Sequence, residues 1–130
     1  MTAPRVGRFV DVEGLVVDWL KAQLPEERSG TRPPDKFTGN FIWVTSVGGP
    51  ADYDTTFLRV DLQYFTPGGV GASWPLAQAG HEAMGALDGQ VVGDQAVYTV
   101  RCVAYPVRQF WSNDVDRTVS TYELELPVLG

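Results

Sequence analysis

Large apolar residues recur at helical spacing near the start of the chain. Their positions follow the i, i+3, i+4, i+7, i+8 pattern that places side chains on one stripe of an α-helix. These residues are Val12, Leu15, Val16, Trp19 and Leu20. Asp11 suits the N-cap and Pro25 ends the helix after Leu24. The pattern therefore predicts an amphipathic helix over residues 12–24.

Four later segments are typical of β-strands, because they alternate or are rich in β-branched and aromatic residues. They form two pairs, and each pair is joined by turn residues, first at Gly48-Gly49-Pro50 and then at Ser112-Asn113-Asp114. This arrangement predicts two hairpins. The four segments are residues 41–47, 55–65, 97–105 and 118–126.

A second helix is predicted between the two hairpins, over residues 74–87. Ser73 is a suitable N-cap and Pro75 is tolerated in the first turn. One face is made mostly of small residues, which permit close packing on a sheet. These are Leu76, Ala79, Gly80, Ala83 and Leu87.

The order helix, hairpin, helix, hairpin predicts one α+β domain over residues 1–130. We expect two layers, with a mainly antiparallel four-stranded sheet packed against two helices that cover its apolar face. The polar stretch 26–36 is interpreted as a surface connection. The other face of the sheet is predicted to be charged and its edges exposed. The residues expected on that face are Arg59, Asp61, Arg101, Glu123 and Glu125.

Composition narrows the classes of partner. Hydrophobic residues make up 44% of the chain, too many for a disordered protein, and no apolar run exceeds four residues, whereas a membrane span needs about 20. The net charge of −6 argues against affinity for nucleic acid, which depends on Lys and Arg. The single cysteine, Cys102, excludes intrachain disulfides. No signal peptide is recognised at the N-terminus.

No catalytic or metal-binding constellation is apparent. His81 is the only histidine, and a helical zinc motif would need a second one at the position of Gly85. His81 is therefore interpreted as structural, and Cys102 as a small core residue. The pairs Asp52/Asp54 and Asp114/Asp116 lack the further ligands of a calcium loop, and are interpreted as turn residues.

The segment Gly68-Gly69-Val70-Gly71 lies between a strand and a helix, as a phosphate-binding loop does. It lacks the lysine of a P-loop and the third glycine and parallel context of a dinucleotide fold, so a flexible loop is the better interpretation. We predict no catalytic residue, metal or cofactor.

Aromatic residues remain as candidates for contacts between proteins. Trp19 lies on the apolar stripe of the first helix and is assigned to the core, whereas Trp43, Trp74, Phe110 and Trp111 have no such assignment. The long connections 26–40 and 108–118 are predicted to dock with partners. The predicted interface residues are Phe110, Trp111, Asp114, Asp116, Trp43 and Tyr53.

In the order and spacing of these elements, the chain resembles the tail terminator proteins of long-tailed phages with non-contractile tails. The resemblance is one of order and spacing over nearly the whole chain. It is carried by the first helix (11–20), the strand end 47–49, the strand segment 60–64, the small-residue helix (77–87) and the closing strand 117–124.

The resemblance implies a virion protein of the tail neck, assembled in the host cytoplasm and without enzymatic activity. Six copies would form a ring on the finished tail tube, end its growth and join it to the head connector. Expected partners are the chain itself, the tail tube protein and the connector protein, with no membrane. Genomic DNA would cross the lumen without specific binding, and the acidic charge would repel its phosphates.

Two alternatives remain open. The nearer is another head-tail connector component, such as a head-completion or neck protein, which shares the same assembly logic. The more distant is a small enzyme or ligand-binding domain that uses the glycine loop and His81.

Overall fold

A computed structural model describes residues 10–48 and 55–127, and the account below refers to these. Two helices, seven strands and their connections make up this part of the chain. In chain order they are α1 (Val12–Gln23), β1 (Arg28–Gly30), β2 (Phe41–Gly48), β3 (Thr55–Pro67), α2 (Trp74–Ala86), β4 (Val91–Val92), β5 (Gln95–Ala96), β6 (Thr99–Arg108) and β7 (Val115–Pro127). The predicted α+β class and both predicted helices are confirmed.

The main sheet has five strands in the order β1-β2-β3-β7-β6. β1 pairs with β2 in parallel, while the other neighbours are antiparallel, so the sheet is mainly antiparallel as predicted but has five strands rather than four and one parallel pair. β1 lies inside the stretch interpreted as a surface connection. Its residues are Arg-Ser-Gly, without apolar alternation, and only the return of the chain beside β2 makes them a strand.

A second departure from the prediction is the small hairpin of β4 and β5. Each strand has two residues, and Gly93 in the turn has a φ of 63°, which glycine adopts without steric cost. β6 also starts later than predicted and continues beyond Pro106 to Arg108, with register shifts near Ala104. The predicted turn at Gly49 and Pro50, and the Asp52/Asp54 pair, lie outside the described residues.

The core lies between the helices and one face of the main sheet. α1 buries five residues, and its N-cap Asp11 accepts a hydrogen bond from the Gly14 amide at 3.0 Å, as predicted. Trp19 is only partly buried, and its indole N–H donates to the Ala83 carbonyl at 2.7 Å, which joins the two helices. The sheet contributes Ile42, Val44, Val60, Leu62, Tyr64, Tyr122, Leu124 and Leu126 to this core.

Close packing of α2 on the sheet depends on Gly80. A Cβ atom at this position would overlap the Tyr64 ring and lie 2.8 Å from its hydroxyl oxygen. Tyr64 is fully buried, with its hydroxyl 3.0 Å from that of Ser120. The small-residue face of α2 therefore has the packing role predicted for it.

The outer face of the sheet has two different regions. In the charged region, Glu123 pairs with Arg59 at 3.2 Å and with Arg101 at 2.9 Å, and Thr121 donates to Asp61 at 2.7 Å. Toward the β3–α2 end, the face is instead covered by aromatic rings. That aromatic region was not predicted.

Candidate interaction surface

The predicted interface residues are not all on a free surface. Phe110 is 67% exposed and Asp114 is exposed in the bend before β7. Trp43 is half-buried, and its indole N–H donates to the Thr31 carbonyl at 3.1 Å. Asp116 is buried, and Tyr53 lies outside the described residues.

Four aromatic rings, Phe37, Phe41, Phe65 and Trp111, form what we call the loop aromatic cluster on the outer face. The Phe37 and Phe65 rings stack with centroids 4.3 Å apart, and the Trp111 ring meets Phe65 edge-on at 5.0 Å. Phe65 is fully buried in consequence, whereas Trp111 is 42% exposed. The two long connections thus contact each other through Phe37 and Trp111.

Arg117 holds the connection after β6 in place. Its guanidinium carbon lies 5.0 Å from the centre of the Trp111 ring, and it donates to the Phe110 carbonyl at 3.1 Å and to Gln63 at 3.0 Å. Burial lowers the pKa of Arg117. A cation over an aromatic face stabilises such an arrangement by about 0.5–2 kcal/mol.

Asp116 is a structural anchor in strand β7, and the prediction that it is a turn residue was wrong. Its carboxylate accepts from the Ser73 amide at 2.9 Å, from the Ser73 hydroxyl at 2.7 Å and from Arg108 at 2.9 Å. Burial alone would raise the pKa of Asp116, but these bonds outweigh it and hold the pKa below its usual value. The Ser73 side chain therefore binds Asp116 and does not cap α2.

β6 is an edge strand with apolar side chains toward solvent. Val103, Tyr105 and Val107 are all exposed, and Tyr105 is 76% exposed. Asp88 accepts from the Val100 amide at 2.7 Å and so covers the start of the edge. From residue 101 onward no described strand pairs with the outer side of β6. The described part of the chain thus offers a long edge for a further strand or segment.

A cleft of about 240 Å³ lies between α2 and β6, and we call it the α2–β6 cleft. Tyr105 and Trp74 present exposed rings there, and Trp74 is 47% exposed. Its lining consists of Trp74, Gln78, His81, Glu82, Tyr105 and Pro106.

His81 has a structural role at the inner wall of this cleft. Its Nδ1 atom lies 2.7 Å from the Tyr122 hydroxyl, and its ring centre is 5.8 Å from that of Tyr105. Burial raises the pKa of Tyr122, so that hydroxyl stays protonated at neutral pH. His81 therefore faces a neutral phenol and an aromatic ring.

The sequence prediction missed Tyr105 altogether, and it noted Trp74 without selecting it. A signal for Tyr105 was present, since Pro106 follows it. Proline inside a strand cannot donate to a neighbour and is confined to edge strands and bulges. A residue beside it on such a strand is a candidate for exposure, and Tyr105 is 76% exposed.

The described residues also bear on three other features, namely metal sites, a reactive thiol and membrane-spanning helices. They contain no group of three His, Cys, Asp or Glu side chains placed to hold a metal ion. Burial raises the pKa of Cys102, which makes it a weaker nucleophile at neutral pH. Neither helix of the described ranges has the length and apolarity needed to cross a bilayer.

The comparisons with known proteins assign no family. No protein-family model matches the chain, and no curated protein matches it.

Proposed function

We propose that this protein is a tail terminator, a ring-forming subunit that caps the tail tube of a phage, ends its growth and joins it to the head connector. The observation that carries the proposal is the open edge of β6 with its exposed apolar side chains. An exposed apolar edge invites pairing with another chain, and natural proteins cover such edges unless they assemble through them.

The two edges of the sheet differ, as a ring requires. β1 at one edge has three residues, while β6 at the other has ten. A closed ring uses two different patches on each subunit, so that each patch meets the other kind on the next copy. A subunit with unlike edges meets this condition, and closure of the ring leaves no edge exposed.

The charges suit a channel through which DNA passes without adhering. On the outer face of the sheet Arg59 and Arg101 are paired with Glu123, and Arg117 is held by Gln63 and the Phe110 carbonyl. Retention of DNA needs basic side chains that are free to neutralise phosphates. Since these arginines are engaged, and the chain carries a net charge of −6, we expect weak retention of DNA.

The test is an assay of tube growth with purified tail tube protein. We expect the protein to bind only at tube ends, as seen by electron microscopy, and to stop elongation when added to growing tubes. Tubes without it should continue to lengthen. Binding along the tube wall, or unchanged tube growth, would contradict the proposal.

The same assay separates the neighbouring function. A head-completion or neck protein would bind isolated head connectors and leave tube length unchanged. A terminator binds the tube end first and recruits the connector afterwards.

A further inference from the structure

We infer that the α2–β6 cleft receives the basic, proline-containing segment 28–36 of the adjacent subunit in the ring. This inference rests on the proposed function, and it names the two surfaces through which the copies meet. The segment includes β1 and the first half of the connection that follows it.

The α2–β6 cleft has the chemistry of a site for a cation on an extended chain. Trp74 and Tyr105 line the cleft and are exposed, the Tyr105 ring lies beside that of His81, and Glu82 supplies a carboxylate. No lysine or arginine occurs anywhere between residues 60 and 100, and Arg108 is bound to Asp116. A cation placed in the cleft would thus meet a carboxylate and two aromatic side chains.

The segment 28–36 carries the complementary chemistry. Arg32 and Lys36 are exposed, and neither forms an ion pair within the described residues. The segment includes Arg28 and Asp35 as well, so its net charge is +2. It is positive in a chain that is acidic as a whole.

Pro33 and Pro34 follow Arg32 directly and restrict the backbone locally, between bends at residues 31–32 and 35–36. Extended proline-containing segments are bound in grooves lined by aromatic rings, because little conformational entropy is lost. Trp74, Tyr105 and Pro106 provide such a groove. The charge and the backbone of the segment therefore point to the same site.

The two surfaces lie at opposite edges of the sheet. α1 and β1 pack beside β2, whereas α2 packs over β6 and β7. One subunit cannot bring its own segment 28–36 to its own cleft across β2, β3 and β7. The contact must join different copies, and its head-to-tail character agrees with a ring.

The experiment uses two variants of the full chain, each defective in one surface. The cleft variant carries Glu82→Gln and Tyr105→Ala, and the segment variant carries Arg32→Glu. All three positions are exposed, so both variants should fold, which far-UV circular dichroism checks. Lys21→Glu and Asp94→Lys reverse exposed charges outside both surfaces and serve as matched controls.

Sedimentation velocity gives the outcome. We expect each variant alone to lose assembly, with affinity reduced about 10- to 100-fold, because a close charge pair between proteins contributes about 1.5–3 kcal/mol. An equimolar mixture retains one intact contact, so it should form a species of two chains of 14.3 kDa each. The controls should assemble like the wild type.

Three results would overturn the inference. One is a mixture that stays monomeric, and another is a variant that assembles like the wild type. The third is wild-type protein that is monomeric at every concentration. In each case the tube-end assay decides the proposed function separately, so the two failures can be told apart.

Discussion

Two groups of aromatic residues in this protein differ in how many contacts the chain itself gives their rings. The loop aromatic cluster is covered by the two long connections, and its Phe65 ring is fully buried. We call Trp74, Tyr105 and Phe110 the edge aromatics, and all three are exposed. Phe110 and Trp111 are neighbours in sequence, yet Trp111 packs on Phe65 and Phe110 does not.

The difference shows that residue type alone does not decide whether an aromatic group is free for a partner. What decides it is whether the chain supplies its own cover. Arg117 and Phe37 contact Trp111, which remains 42% exposed, whereas from residue 101 onward no described strand pairs with the outer side of β6. The edge aromatics are therefore the better candidates for contacts between subunits.

The strongest test of this comparison is a pair of truncations. We expect Phe65→Ala to lower the free energy of unfolding by about 3–5 kcal/mol, because it leaves a cavity among stacked rings. At concentrations where both chains are monomeric, Tyr105→Ala should change it by less than about 0.5 kcal/mol, since the ring is mostly in solvent in the single subunit. Urea denaturation followed by fluorescence measures both. Similar losses in the two variants would contradict the distinction.

A second test concerns Asp116, which links the start of α2 near Trp74 to the end of β6. We expect Asp116→Asn to cost about 2–3 kcal/mol, since hydrogen bonds to a buried charge are lost. Asp114→Asn is the exposed control and should be close to neutral. A double-mutant cycle with Arg108→Met isolates the ion pair, and zero coupling would show that it contributes nothing.

The pH dependence of that anchor follows from its lowered pKa. The stabilisation from the Asp116 carboxylate is complete above its unfolded-state pKa and is lost as the pH falls through its lower folded-state pKa. The stability difference between wild type and Asp116→Asn should thus be constant near neutral pH and shrink below about pH 4. Urea titrations between pH 7 and pH 3 measure it. A difference that grows in acid would contradict the assignment.

A third test moves α2 relative to the sheet and so perturbs the α2–β6 cleft. We expect Gly80→Ala to destabilise by about 1–3 kcal/mol, because its methyl group would overlap the buried Tyr64 ring. Gly85→Ala lies in the same helix, and a Cβ there meets nothing within 4 Å. That control should stabilise by about 0.5–1 kcal/mol through helix propensity. Thermal unfolding distinguishes the two, and a stabilising Gly80→Ala would disprove the close approach.

The smallest expected effect lies in the charged region beside the loop aromatic cluster. Glu123→Gln releases Arg101 and Arg59, whose hydrogen bonds hold the pKa of Glu123 below its usual value. These pairs are partly exposed, so we expect a stability loss below about 1 kcal/mol. The freed arginines should give weak, salt-sensitive binding to duplex DNA in fluorescence anisotropy at low salt. Equal DNA binding by wild type and variant would show that pairing does not restrain these arginines.

The sequence predicted those parts of the fold that depend on long periodic patterns. The apolar stripe from Val12 to Leu20 and the alternation of β3 and β7 each extend over many residues, so their periods are recognisable from the sequence alone. β1 could not be read in this way, because three polar or small residues become a strand only beside β2. The partners of Asp116 were equally hidden, since Ser73 lies 43 positions away in the sequence.

The candidate interaction surface was predicted less well for the same reason. Phe110 was selected and is exposed, but Trp111 and Trp43 have partners within the chain. Tyr105 was missed because alternation assigns a residue to one face of a strand without showing whether that strand lies at an edge. The order of strands in the sheet is a long-range property, and periodicity does not contain it.

The most direct test of the central claim, that this chain acts as one subunit of a closed head-to-tail ring, is the mass of the assembled wild-type protein by native mass spectrometry. Six chains of 14.3 kDa predict a single species near 86 kDa, with no ladder of larger forms. Protein that remains monomeric, or forms an open-ended series of sizes, would contradict a closed ring.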